Sequence, residues 1–325
     1  MQNINFIVNL NSLRAFAAIN VVIFHILGTS SAYGFAPEKF IFLGDWGSSG
    51  VHLFFVLSGF VMLHTQLRAK QTMFLFLKSR LIRIVPIYWL LTSVTIASFA
   101  LLPETAFNGK APSSSEVLES LFFVSLVISD KWPVLAVGWT LELEMLFYLV
   151  FGLALIFSRW SISIFIVSLL LTIIAVITSN LIILEFIFGM FAALCFQHFR
   201  LQPQTGLILA ILGLMLLLSS INNAVDAFLP RVIYWGLPST LIILGLAYSK
   251  PYSQHLLNIL GDSSYSLYLV HVLAISVFYK ILSQLPNDIS HELLALFCLL
   301  TSILCGVCLW FFVERPLTKF IKSLL

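Results

Sequence analysis

The stretch NSLRAFAAINVVIFHIL, residues 11–27, decides how the rest of the chain is read. It belongs to an apolar run over 8–28, and about 20 such residues carry a helix across the hydrocarbon core of a bilayer. The composition agrees: of 325 residues, 60% are hydrophobic, 10% are charged and thirty are Phe, and the mean hydropathy is +1.04. A soluble domain carries about 25% charged residues. An all-α polytopic membrane protein is therefore expected, a single transmembrane domain over 1–325 with no separate soluble part. The first run has neither a Lys/Arg-rich region before it nor a small-residue cleavage site after it, so it reads as a retained helix and not a signal peptide.

With Gly, Pro and charge as breakers, the spans are 8–28, 49–66, 84–102, 139–157, 161–178, 182–199, 205–220, 231–248, 264–284 and 292–313, ten in all. The apolar piece VLESLFFVSLVIS at 117–129 is too short to cross and reads as interfacial or re-entrant. Charge decides whether it counts. Ten spans with a cytoplasmic N-terminus put eleven basic residues inside: Arg68, Lys70, Lys78, Arg80, Arg83, Arg159, Arg200, Lys250, Arg315, Lys319 and Lys322. Five remain outside: Lys39, Lys110, Lys131, Arg231 and Lys280. The acidic loop residues Glu38, Asp45, Glu104, Glu116, Glu119, Asp130, Asp226 and Asp288 lie mostly outside. This is a positive-inside bias, so the short piece does not span and both termini are cytoplasmic. No 20–50-residue repeat or inverted pair of broken helices points to a transporter.

The informative residues are the polar ones inside the spans. Arg14 and His25 are eleven residues apart, almost three helical turns, so they share a face about 16 Å apart along the axis. Arg14 can snorkel to the inner interface, whereas an intramembrane His more often lines a cavity. In GWTLELEMLFYLV, 138–150, Glu142 and Glu144 are about 200° apart around a helix. Glu144 shares a polar stripe with Thr140 and Tyr148, while Glu142 shares its face with Met145, Leu146 and Leu149. Glu144 is the better site candidate, and it is expected at the depth of His25, near the outer face, as the carboxylate that orients the imidazole. In GDSSYSLYLVH, 261–271, Ser264, Tyr268 and His271 share a face and can meet a substrate or tie helices together. Lys78, Arg80 and Arg83 in FLKSRLIRIVPIYWL, 76–90, precede Pro86, which suits the first turn of the next span. They are either positive-inside anchors or, with Arg14 at similar depth, a clamp for phosphate groups.

Other features read as packing. The Ser-Gly pair in GVHLFFVLSGFVML, 50–63, suits close helix approach. Cys195, Cys298, Cys305 and Cys308 all lie in apolar runs, so neither a metal nor a disulfide is expected. WGSSG at 46–50 lacks nucleophile-elbow spacing, and no Walker loop, H-E-x-x-H or nucleic-acid surface is present.

Six stretches in register resemble the membrane acyltransferase-3 family of bacterial O-acyltransferases. LNSLRAFAAINVVIFH resembles its R-x10-H first helix, FFVLSGFVM its second-helix motif, and RLIRIVPIYWL its basic-to-Pro-Tyr segment. GWTLELEMLFYL resembles its W-[ST]-L-x-x-E-x-x-F-Y stretch, LGDSSYSLYLVH its S-Y-x-L-Y-L-x-H stretch, and VERPL its terminal E-[RK]-P. The GWTLxxEMxFY variant is most similar to succinoglycan-type exopolysaccharide O-acetyltransferases. Two positions depart from the pattern: Met145 stands where many relatives have a second Glu, and Asn11 where Asp is common.

The resemblance implies an acyltransferase-3-like bundle in the bacterial inner (plasma) membrane. It implies that Arg14 engages cytosolic acyl-CoA, that His25 is catalytic and that Glu144 is the family's acidic position; Arg80, Arg83 and His271 also match motif positions. The expected reaction moves an acyl group, acetyl foremost, from acyl-CoA to a hydroxyl of an exported or lipid-linked polysaccharide, alongside polysaccharide-assembly machinery. His25 assisted by Glu144 would be the base, Arg14, Arg80 and Arg83 the donor clamp, and Tyr268 or His271 the oxyanion donor. An acceptor that is a small molecule, lipid or peptidoglycan, and a proton-coupled transporter or flippase built on the same His and Glu, remain the alternatives.

Overall fold

The structure is a computed structural model that describes residues 5–101, 111–222, 230–285 and 289–324; Glu104, Lys110, Asp226 and Asp288 of the charge argument lie outside the described residues. Eleven helices carry the architecture: α1 (Asn5–Ala32), α2 (Ser49–Arg68), α3 (Met73–Leu101), α4 (Trp139–Ala154), α5 (Trp160–Ile177), α6 (Leu184–His198), α7 (Pro203–Ser219), α8 (Gly236–Tyr248), α9 (Ser264–Leu282), α10 (His291–Leu309) and α11 (Arg315–Leu324). Among the described residues, nine helical stretches are long and apolar enough to cross a membrane. The span expected over 205–220 falls on α7, a shorter apolar helix of 17 residues.

Apolar side chains turn outward as well as inward. Phe165 and Ile177 of α5, Ile208 and Met215 of α7, and Leu300 and Leu304 of α10 are all exposed. In a chain of this hydropathy such a surface faces lipid, where exposure of hydrocarbon carries no penalty. The interior is built on α2, whose Leu53, Val56 and Phe60 are fully buried, and on the stacked rings of Phe147 (α4) and Phe186 (α6), 4.3 Å apart. Helices α2 and α6 approach through reciprocal glycines. A Cβ on Gly59 would lie 2.1 Å from the Phe186 carbonyl oxygen, and one on Gly189 would lie 1.9 Å from that of Val56. Close backbone approach through small residues is the usual helix contact in a membrane.

Two boundaries differ from the sequence-based expectation. Helix α3 begins at Met73 and runs unbroken through Pro86, so Lys78, Arg80 and Arg83 ride on the helix and do not precede it. A proline stops a helix in water, but in a bilayer the carbonyl it frees can be tolerated, and here the stretch is braced from α9, where Tyr265 Oη donates to the neighbouring Ile84 carbonyl (2.7 Å). At the other end, α10 passes through a π-helical turn, Trp310–Glu314, into α11. Residues 117–129 form no span, as expected, but two short helices, Ser114–Leu121 and Ser125–Ile128. This segment is latched to the bundle twice. Tyr88 Oη meets Ser120 Oγ at 2.8 Å, and the buried Glu142 carboxylate accepts the backbone N–H groups of Ser125 and Leu126 (3.1 and 2.9 Å).

Helices α1 and α9 run side by side in the same direction. Asn11 near the start of α1 donates to Asp262 Oδ1 (2.9 Å) just before α9, while further along His25 meets His271. The asparagine matters to this docking: its amide supplies the hydrogen that the Asp262 carboxylate accepts, which an aspartate would not.

Candidate active site

Helices α1, α2, α3, α4 and α9 line a cavity that is open at its mouth. Most of its wall is apolar, supplied largely by α2. Two guanidinium groups enter it, Arg14 from α1 and Arg83 from α3, together with one carboxylate, Glu144 from α4. Among the described residues, neither arginine has a carboxylate oxygen within ion-pair distance; the two pairs so formed are His52–Glu185 and Lys131–Glu116. The acidic groups whose fields reach Arg14 are Glu314, Glu144 and Asp262, against the like charge of Arg83.

The polar stripe read along α4 forms as its i, i+4 spacing dictates. Tyr148 Oη donates to the Glu144 carboxylate, which also accepts from Ser58 Oγ (3.1 Å). One turn earlier, Thr140 Oγ1 and Tyr268 Oη are 2.7 Å apart. The Ser-Gly pair of α2 divides its work: Gly59 packs against α6, whereas Ser58 faces the cavity. Ser264, the first residue of α9, also lines the cavity, and its buried hydroxyl has no hydrogen-bond partner among the described residues.

The structure brings some expected residues together and separates others. Arg14 and Arg83 share the cavity, but Arg80 turns its guanidinium over the rings of Phe76 and Tyr148, at 5.6 and 6.0 Å, behind the wall. His25 and Glu144 do not pair: the Glu144 partners are Tyr148 and Ser58, and those of His25 are elsewhere. His25 Nδ1 lies 2.9 Å from its own i−4 carbonyl, Val21, and 3.2 Å from Nε2 of His271. His271, fully buried, has its other nitrogen 3.1 Å from the Leu267 carbonyl. Both of its ring nitrogens are thus engaged within the protein, which leaves none to meet an oxyanion. The Tyr268 hydroxyl is similarly held, by Thr140 and the Val137 carbonyl (3.2 Å). The expectation from depth failed because His271 sits level with His25 on a parallel helix, whereas Glu144 sits level with the arginines.

The imidazole pair lies just behind the cavity. Tyr268 and Phe54 line the cavity and stand edge to face, 5.9 Å apart, and the His271 ring is 5.9 Å beyond Tyr268. Of the two imidazoles, only His25 retains exposed surface.

Several polar groups escaped the sequence reading. Ser266 Oγ donates to Glu314 (2.5 Å), tying the segment after α10 to α9 beside the arginines; VERPL was recognisable only through a family motif. The buried His52 and Glu185 side chains hydrogen-bond each other across α2 and α6, 133 positions apart, where no local pattern could join them. Among the described residues, no cluster of three or more His, Cys, Asp or Glu could hold a metal ion.

Comparison with known proteins adds an independent line. Residues 7–312 match the acyltransferase-3 family model, described as an acyltransferase domain. Among curated proteins, the exopolysaccharide production protein ExoZ of Rhizobium meliloti (strain 1021) is 32% identical over 299 residues, covering 84% of this chain and 90% of that protein. No solved structure matches the chain.

Proposed function

The chain belongs to the acyltransferase-3 family, and from that premise we propose that this membrane O-acyltransferase moves an acyl group, acetyl foremost, from cytosolic acyl-CoA to a hydroxyl of an exported or lipid-linked polysaccharide. One observation carries the donor half of this reading: Arg14 and Arg83 line a largely apolar cavity and have no ion-pair partner among the described residues. Cations held in a membrane protein are costly unless something anionic answers them, and guanidinium forks match phosphate oxygens. The unpartnered Ser264 hydroxyl offers one more hydrogen bond on the same wall. The acceptor half rests on the likeness to an exopolysaccharide production protein.

A thioester is already activated, so the reaction needs a donor clamp and a base for the acceptor hydroxyl. Arg14 and Arg83 form the clamp, with Arg80 supporting Tyr148 and through it Glu144. Glu144, the one carboxylate lining the cavity, is held by Tyr148 and Ser58 and offsets the charge of the arginines from a distance rather than charging the imidazole. His25 is the base. The acyl end reaches it past Tyr268 and Phe54, while the acceptor arrives from the opposite, outer side. This division agrees with a ten-span topology across the bacterial plasma membrane with both termini cytoplasmic, the arrangement the positive-inside bias favours.

The test supplies labelled acetyl-CoA to inverted membrane vesicles bearing the enzyme. Label on luminal glycan is expected. Label on lipid, peptidoglycan precursor or a small molecule would move the acceptor, and no label beyond background would remove the donor and with it the reading.

A further inference from the structure

We propose that His271 is a positioning residue that, together with the Val21 carbonyl, fixes the tautomer and ring orientation of His25, so that the base acting on the acceptor hydroxyl is the Nε2 atom of His25; this rests on the reading of His25 as base given above. The argument is one of hydrogen accounting. A carbonyl oxygen only accepts, so the contact of His271 Nδ1 with the Leu267 carbonyl (3.1 Å) requires the proton to sit on that nitrogen. Neutral His271 then presents a lone pair at Nε2, and this atom faces His25 Nδ1 at 3.2 Å. His25 Nδ1 must therefore carry a hydrogen, which it shares with the Val21 carbonyl at 2.9 Å. By elimination, the lone pair of neutral His25 is on Nε2 and not committed to either contact.

The arrangement does the work that a carboxylate does for many catalytic histidines, which is to select a tautomer and hold the ring. It does so without a buried charge, and in a bilayer a second ion would cost more than it returns. The holder is itself held. His271 is fully buried, and the backbone that supplies its carbonyl is pressed by α10, where a Cβ on Gly306 would lie 2.7 Å from Leu267 Cα. Asn11 and Asp262 set the register of α1 against α9. The step then balances simply. The acceptor O–H proton passes to His25 Nε2 as the oxygen bonds to the thioester carbonyl carbon; when the C–S bond breaks, the same proton leaves with the thiolate. His25 Nδ1–H stays in place throughout, the transient positive charge being shared with the Val21 carbonyl and His271 Nε2, and His271 changes its own protonation at no stage.

The experiment compares wild type, His271→Leu, His271→Gln and His25→Ala, each purified in nanodiscs. His271→Leu removes the acceptor while keeping the volume, and kcat is expected to fall roughly 10²-fold, the scale of a misplaced catalytic group, with KM for acetyl-CoA unchanged. His271→Gln places an amide oxygen near the lost Nε2 and is expected to recover most of kcat. Nitrogen NMR of histidine-labelled enzyme should show His25 protonated at Nδ1 in wild type and His271→Gln, and a larger Nε2-protonated share in His271→Leu, where the Val21 carbonyl alone remains to hold that hydrogen. Unchanged kcat in His271→Leu, or a His271→Gln enzyme no better than it, overturns the inference. Should His271→Leu fail to reach the membrane, the wild-type spectrum decides, and an Nε2-protonated His25 overturns it. His25→Ala separates the two layers of argument: full transfer by that variant sinks the parent reading, whereas an inactive His25→Ala beside a fully active His271→Leu sinks only this one.

Discussion

Two polar constellations lie inside this bundle, and they answer the cost of polarity in a membrane in opposite ways. Between α2 and α6, His52 answers one carboxylate oxygen of Glu185 in a site with almost no exposed surface, the other oxygen having no partner among the described residues. The Trp235 ring stands edge-on to His52 at 4.8 Å, and a Cβ on Gly236 would come within 3.0 Å of Glu185 Oε1. In the cavity, by contrast, Arg14 and Arg83 face space and have no protein counter-ion among the described residues. A paired, enclosed polar group reads as a structural element; under the proposed function, an unpaired cation at a cavity wall is a binding element. Cost alone does not separate them, and the partner does.

The comparison breaks most visibly at the arginines. Replacing both Arg14 and Arg83 by Ala is expected to lower kcat/KM by roughly 10²–10⁴-fold, given about 1.5–3 kcal/mol for each hydrogen bond to a charged group, with membrane levels unchanged. Acetyl-CoA affinity measured on the purified variant checks it, and wild-type affinity would take these residues out of the clamp. The opposite outcome is expected across α2 and α6. Glu185→Gln or His52→Ala should cost about 3–5 kcal/mol, the penalty for orphaning one member of a buried pair, seen as a lower melting midpoint in detergent, while activity per folded molecule holds. The double change to Leu at both positions should recover much of that loss; failure to recover would give the pair a role beyond structure.

A smaller effect sharpens the structural side. Gly59→Ala pushes a methyl against the Phe186 carbonyl and is expected to destabilise by about 1–3 kcal/mol, as overpacking does. The smallest concerns the segment before α4, where the pair is exposed and salt screens it. The Lys131 ammonium, with the Ser113 capping contacts, holds the Glu116 carboxyl down to about 2. A depressed carboxylate stabilises above its ordinary value near 4.5 and loses that contribution as pH falls towards 2. Amide exchange at residues 113–116, corrected for intrinsic rates, should accelerate across that window, and Lys131→Met should narrow it.

Local periodicity made much of this visible. The spans follow from apolar run length, and the Thr140–Glu144–Tyr148 stripe from helical spacing, so the chemistry-bearing face of α4 was legible residue by residue. Depth and pairing were not. His25 and His271 are 246 positions apart, and only the parallel docking of α1 on α9 makes them neighbours. Counting inward from the ends of apolar runs placed Glu144 beside His25, but α1 extends well past its apolar run, over 28 residues, so residue counts did not translate into shared depth. Glu142 was set aside on the apolar identity of its face, where its actual partners are backbone N–H groups of a segment that carries no signal of the contact.

Pro86 has a mechanical consequence. It removes one rung from the hydrogen-bond ladder of α3, leaving the Ile82 carbonyl without its helical donor,. A helix is most compliant where its ladder is interrupted. Arg83 sits within a turn of that interruption, and a single phenol, Tyr265 of α9, braces the same stretch. The cavity's second cation is thus mounted beside a joint and not on a rigid strut, which under the proposed function would let its fork follow a phosphate of the donor while the membrane-crossing body of α3 stays where the bundle holds it.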